Sequence, residues 1–135
     1  MLFRSDIGVL KIPYHVNVVV TREKTVRERR PFVLKVVRAF AEALHFIKTN
    51  KEETKALIAK NLKTSDPEGL ERAYRAYNAA FPEIPYPNPE GVKTLLDDIA
   101  PRTPKAASAE PKSFVDLTLV QELEAAGFFK QLYKK

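Results

Sequence analysis

Cysteine is absent from the 135 residues. That excludes disulfide staples, thiolate metal sites and a cysteine nucleophile, while leaving the compartment open. Histidine is scarce. His15 and His45 stand 30 positions apart, too far for a local histidine metal motif. The four glycines are isolated, so there is no glycine-rich phosphate loop. No apolar run approaches the length needed to span a bilayer. The N-terminus lacks the basic, then apolar, then small-residue order of a signal peptide. Met1-Leu2-Phe3-Arg4-Ser5 follows neither a helical nor a strand period. Residues 1–11 are therefore expected to be poorly structured or foreign to the natural chain.

What is present suits one globular domain. The length allows a single domain with a core, and the apolar fraction of 44% is ordinary. The net charge is +6, unevenly spread. Residues 1–63 carry 14 Lys/Arg against 6 Asp/Glu, and residues 64–135 carry 9 against 11. A basic half admits a nucleic-acid reading, and equally a solvated lysine-rich helical surface.

Only one segment reads as a strand. Residues 12–21 contain Val16, Val18, Val19 and Val20, interrupted by Asn17. A nearly continuous β-branched run predicts a strand of about residues 16–21, buried on both faces as in a parallel sheet. Its neighbours would have to come from elsewhere, since the chain offers no second strand. The rest reads as helix. Thr25 and Glu28 have capping-box spacing ahead of Pro31. From Phe32 to Lys48, Val33, Val36, Val37, Phe40, Leu44 and Ile47 are predicted to form the buried face. Lys35, Arg38, Glu42, His45 and Lys48 are predicted to face water. Asn50, with Glu53 at the reciprocal position, predicts a helix start. Asp66-Pro67 and Asn88-Pro89 predict two more, and Asp116 a last one before Gly127. Residues 81–87 read as an extended connector and 101–112 as a surface loop.

No constellation of catalytic type emerges. Asp97 and Asp98 are adjacent on a helix and point about 100 degrees apart, so they do not converge as a dyad. Glu52 and Glu53 occupy a first turn, where the helix dipole favours negative charge. Tyr74, Tyr77, Phe81 and Tyr86 could stack on a flat ligand or pack a core. Tyr14, His15 and Asn17 begin the predicted strand. Ligands gather at strand ends in open α/β sheets, so these three are the candidate ligand-binding residues. No catalytic residue, metal ligand or cofactor is assigned.

The order of these signals resembles a known family. A Pro13-Tyr14 turn leads into a strand ending Val20-Thr21-Arg22-Glu23, followed by Pro31 and the long helix from Phe32 to Asn50. Then come Lys51-Glu52-Glu53-Thr54, Asp66-Pro67-Glu68 and Tyr86-Pro87-Asn88-Pro89-Glu90-Gly91. Phe114-Val115-Asp116 and Leu123-Glu124-Ala125-Ala126-Gly127-Phe128 complete the series. Over residues 10–130 this is similar to the C-terminal part of ABC-importer solute-binding proteins, of the nitrate/sulfonate/taurine and thiamine-precursor (type 2 periplasmic binding protein) kind. The resemblance implies a mostly α fragment of an α/β fold, with one principal strand and about five helices. Residues 12–135 would be the C-terminal part of lobe 1, beginning at the return hinge strand. It implies a non-enzymatic, truncated substrate-binding component. The parent would lie in the periplasm or be lipid-anchored outside the cytoplasm. Its partners would be a small-molecule solute and an ABC permease, with no nucleic acid and no membrane span. The alternative is an independent basic helical domain that binds nucleic acid or a protein partner.

Overall fold

Two of the helices start by the same local device. In the computed structural model, which describes residues 13–15 and 17–134, Asp66 Oδ1 accepts the Glu68 N–H at 3.1 Å. Asn88 Oδ1 accepts the Glu90 N–H at 2.9 Å. Each cap satisfies one N–H that the first helical turn leaves without a partner, and the following proline needs none. The described elements are α1 (Glu23–Glu28), α2 (Arg30–Thr49), α3 (Lys51–Leu62), α4 (Pro67–Ala80) and α5 (Pro89–Ile99). Short 3-10 helices at Pro104–Ser108 and Pro111–Phe114 follow, then α6 (Thr118–Ala125) and α7 (Phe128–Leu132). Gly127, at φ +74°, takes the left-handed conformation between α6 and α7. Asn50 behaves otherwise than its spacing predicts. Its amide caps no helix start, and its Nδ2 donates to the Phe46 carbonyl at the end of α2. Thr25 likewise lies inside α1, one turn later than a cap.

No β-strand occurs among the described residues. Val18, Val19 and Val20, expected to be buried on both faces, are all exposed, Val20 to 82%. Val16 and residues 1–12 lie outside the described residues, so the expectation for residues 1–11 does too. A β-branched run favours extended backbone, but a ladder needs a partner edge, and no other described segment supplies one. This overturns the resemblance to type 2 periplasmic binding proteins. The mixed α/β lobe, its hinge strand, the transported solute and the permease go with it. The shared series of caps and turns is what any helical chain uses to start and stop its helices. Among the described residues no helix is long and apolar enough to cross a membrane.

The contacts divide the chain into two units. One comprises the described part of residues 1–20 together with residues 86–117. Within it α5 packs on both 3-10 helices, with Leu96 and Ala106 buried. The other comprises residues 21–85 and 118–134. There α2 packs on α3 and α6, α3 packs on α4, and α6 turns onto α7. Its core is Ala41, Val120, Leu123 and Phe129, flanked by Leu34, Val37, Ile84, Phe128 and Tyr133.

This core sets the rotation of α2. Ala41 is completely buried, whereas Phe40 is 54% exposed. Arg30 reaches from the first turn of α2 to Glu122 of α6 at 2.7 Å. Arg38 lies over the Phe128 ring, and His45 meets Tyr133 edge-on at 4.8 Å. Of the predicted face Val33 is buried and Val37 flanks the core, but the centre of the buried face is turned by about 60° from the predicted one, at 100° per residue. His45, predicted to face water, is half-buried against α7, while Phe40 and Val36 move to the edge or outside. A small residue at position 41 lets two backbones approach closely, which no count of large apolar residues reveals.

Charge ties α3 to α4. Glu71 accepts from Lys51 at 2.8 Å, from Lys55 at 3.2 Å and from Arg75 at 2.9 Å. The hydrogen bonds from Lys51, then Lys55, hold its carboxyl well below the ordinary 4.5, at about 2.

Ala41→Asp should unfold the second unit or cost it more than about 3 kcal/mol, because a buried charge would have no partner. Phe40→Asp, with its side chain half in water already, should cost less than about 1 kcal/mol. Urea titration followed by circular dichroism separates the two; equal costs would mean that α2 is rotated otherwise. Glu71 binds no proton in the fold at pH values where it would begin to in the unfolded chain. Its contribution is complete above the ordinary carboxylate range and is lost as pH falls through about 2. Glu71→Gln should therefore lower the melting temperature at pH 7, and the difference from wild type should shrink on acidification.

Candidate protein-interaction face

Apolar residues cover too much of α2 for one core. At 100° per residue, the apolar positions from Phe46 round to Leu34 sweep an arc of about 240°, far wider than one core-facing stripe requires. The part turned to α6 and α7 fills the core. The remainder carries Phe32, Val36, Ala39, Phe40, Ala43 and Phe46, of which the three phenylalanines are 53%, 54% and 37% exposed. At 1.5 Å per residue, this row from Phe32 to Ile47 is about 22 Å long.

The row ends in a concavity. Ile47 from α2, Thr54 and Ile58 from α3, and Tyr74, Tyr77 and Phe81 from α4 and its end enclose about 210 Å³. Local bonds hold its walls. The Tyr74 hydroxyl donates to the Ile47 carbonyl at 3.0 Å, and Lys48 Nζ donates to the Asn78 carbonyl at 3.0 Å. Tyr77 and Phe81 stack with ring centroids 5.7 Å apart. Tyr77 remains half exposed. The hydroxyl oxygen of Thr54 is buried without a hydrogen-bond partner. Row and concavity both present apolar surface to solvent, the usual mark of a surface that something covers.

The sequence-predicted site residues lie in the other unit. Tyr14 and Asn17 are exposed, and His15 is half-buried. His15 Nε2 is 2.7 Å from the Asn88 carbonyl oxygen and 3.3 Å from the Asn88 backbone nitrogen. It thereby clasps the start of α5. Gly91 makes room for the ring: a Cβ there would lie 2.6 Å from His15 Cδ2. The structure thus gives His15 a packing contact, and it does not gather Tyr14 and Asn17 around it. Of the aromatic cluster, Tyr74 is buried, while Tyr77 and Phe81 line the concavity and Tyr86 belongs to the other unit. Asp97 is paired with Lys93 at 2.6 Å and Asp98 with Arg102, so both serve the surface of α5. Among the described residues no group of three or more His, Cys, Asp or Glu could hold a metal ion. Phe32 and Phe46 were missed by sequence reasoning; the excess width of the apolar arc signals that some apolar residues of α2 stay outside the core, without saying which.

Comparison with family models, with curated proteins and with solved structures finds no match to this chain.

The His15–Gly91 contact has a signed consequence. Alanine in a helix is favoured over glycine by up to about 1 kcal/mol. Gly91→Ala should deliver that gain only when His15 is also alanine, and should gain nothing, or lose stability, beside the native ring. A double-mutant cycle by thermal denaturation measures the coupling. Additive effects would show that the ring does not occupy the space above Gly91.

Proposed function

We propose that this chain is a helical binding module that docks a protein partner on the exposed apolar face of α2 and the concavity beside it, and that it carries out no chemistry of its own. The observation that supports this most directly is the row Phe32, Phe40 and Phe46 standing in solvent on a helix whose opposite side already has its core. Aromatic side chains in and around a shallow pocket are the usual anchors of protein recognition. A groove at a helix-helix junction suits a helical segment laid along it.

The basic surplus favours nucleic acid less. Lys24, Arg27 and Arg38 each stand beside an acid on their own helix, Glu28, Glu23 and Glu42, so these three do not form a free basic stripe, and the excess that is left is carried by other residues. Phosphate tracking along a duplex needs unpaired cations in a row and draws nothing from phenylalanines spaced along a helix, which could serve nucleic acid only by stacking on unpaired bases.

The test uses variants chosen from the fold. A displayed library of 16-residue peptides is selected on the whole chain, with counter-selection on Phe40→Asp. Selected peptides should bind the native chain and lose at least about tenfold in affinity to Phe40→Asp and to Tyr77→Asp, which is about 1.4 kcal/mol. Both variants should keep the native circular dichroism. Peptides that bind the variants as well as the native chain, or no enrichment at all, would defeat the proposal. Binding of duplex DNA or single-stranded RNA that falls steeply with salt would replace it with the nucleic-acid reading.

A further inference from the structure

The charge along α2 is mostly positive. Positions 28 to 53 carry Arg29, Arg30, Lys35, Arg38, Lys48 and Lys51 against Glu28, Glu42, Glu52 and Glu53, and three of these acids face cations, Glu28 with Lys24, Glu42 with Arg38 and Glu52 with Lys55. Four of the six cations are engaged. Arg30 is held by Glu122, Arg38 by Glu42 and Lys51 by Glu71, while Lys48 bonds a neutral carbonyl and keeps its charge uncompensated. Arg29 lies over the Phe32 ring at 5.0 Å, and it and Lys35 form no ion pair with a described residue. On the helical wheel Lys35 borders the row beside Phe32, Ala39 and Phe46. The row is therefore flanked by positive charge at its N-terminal half, through Arg29 and Lys35, and at its concave end, through Lys48. Glu42, the one acid on α2, is turned to Arg38.

Building on the reading of this face as a protein-docking surface, we infer that its partner is an acidic amphipathic helix of about four turns, the length that spans a row of about 22 Å. The partner's apolar stripe lies along Phe32, Phe40 and Phe46. One large side chain, leucine or aromatic in kind, enters the concavity between Ile47, Ile58 and Tyr77. Carboxylates on its flanks meet Arg29, Lys35 and Lys48. Charge of this kind at the rim of an apolar contact sets partner choice and association rate more than it sets affinity. A basic amphipathic helix of identical apolar stripe meets like charge along the same rim and is rejected. A second copy of this chain is disfavoured as occupant on the same ground, because two such faces would bring their cations together.

The experiment uses the whole chain and two synthetic 16-residue amphipathic helical peptides with the same leucine stripe. One has glutamate on its flanks and the other has lysine. Calorimetry in low salt should give the acidic peptide at least about tenfold tighter binding, a difference of about 1.4 kcal/mol. The preference should shrink several-fold in 0.5 M salt. The Lys35→Glu/Arg29→Glu double variant should reduce or reverse the preference while keeping its circular dichroism. Phe40→Asp should abolish binding of either peptide. Equal binding of the two peptides, lost in Phe40→Asp, would overturn the acidic partner and leave the docking face standing. Binding of neither peptide would overturn the inference. Equal affinity of Phe40→Asp and native chain would overturn the docking face as well. Concentration-dependent dimers that Phe40→Asp dissolves would overturn the acidic partner in favour of a second copy.

Discussion

The core of the second unit closes over Ala41, which is wholly buried, and much else depends on that contact. A residue with a single methyl, wholly buried, lets α2 come up against Val120, Leu123 and Phe129. Any larger side chain at that position would hold α6 and α7 away. Because a helix is rigid about its axis, seating position 41 fixes every other position. Leu34 and Val37 go inward beside it, and Phe32, Phe40 and Phe46 are carried outward. The exposed aromatic row is a geometric consequence of the alanine contact.

The remaining interactions keep that seating. Arg30 spans from α2 to Thr118 and Glu122, fixing the near end of the helix against α6. Stacking of Arg38 on Phe128 and the edge contact of His45 with Tyr133 fix the side toward α7. At the far end Tyr74 and Lys48 bind main-chain carbonyls across the α2–α4 contact. The Glu71 cluster then holds α3 to α4, so the concavity has three held walls. Exposed ion pairs are individually weak. Here several of them share one job, and the buried apolar contacts carry most of the stabilisation. The proposed docking face follows from this arrangement: apolar surface beyond what the core uses, rimmed by cations whose acids are committed elsewhere.

Function classes separate on the same physics. A transported-solute binder of the type the sequence resembles needs a sheet to build a cleft, and the described residues have none. His15, expected at a strand end, lies at the start of α5 with its Nε2 beside the Asn88 carbonyl. What the surface does offer is area and charge, which are the currency of macromolecular recognition.

By itself the sequence determined where α4 and α5 begin and where the chain turns between α6 and α7. Asp66, Asn88 and Gly127 act through bonds and dihedrals within a few residues of themselves, so their effect is legible locally. The connector at Phe81–Pro87 was legible for the same reason. It also determined that α2 has apolar surface to spare, since the width of its arc is a property of residue order alone. Tertiary structure decided the rest. Whether Val18–Val20 became a strand depended on a partner edge that lies outside any local window. Which part of the α2 arc was buried depended on how α6 and α7 pack against it; of the three alanines Ala39, Ala41 and Ala43 only Ala41 is buried there. The exposed phenylalanines, and with them the candidate site, could only be identified once that contact had chosen the inward face.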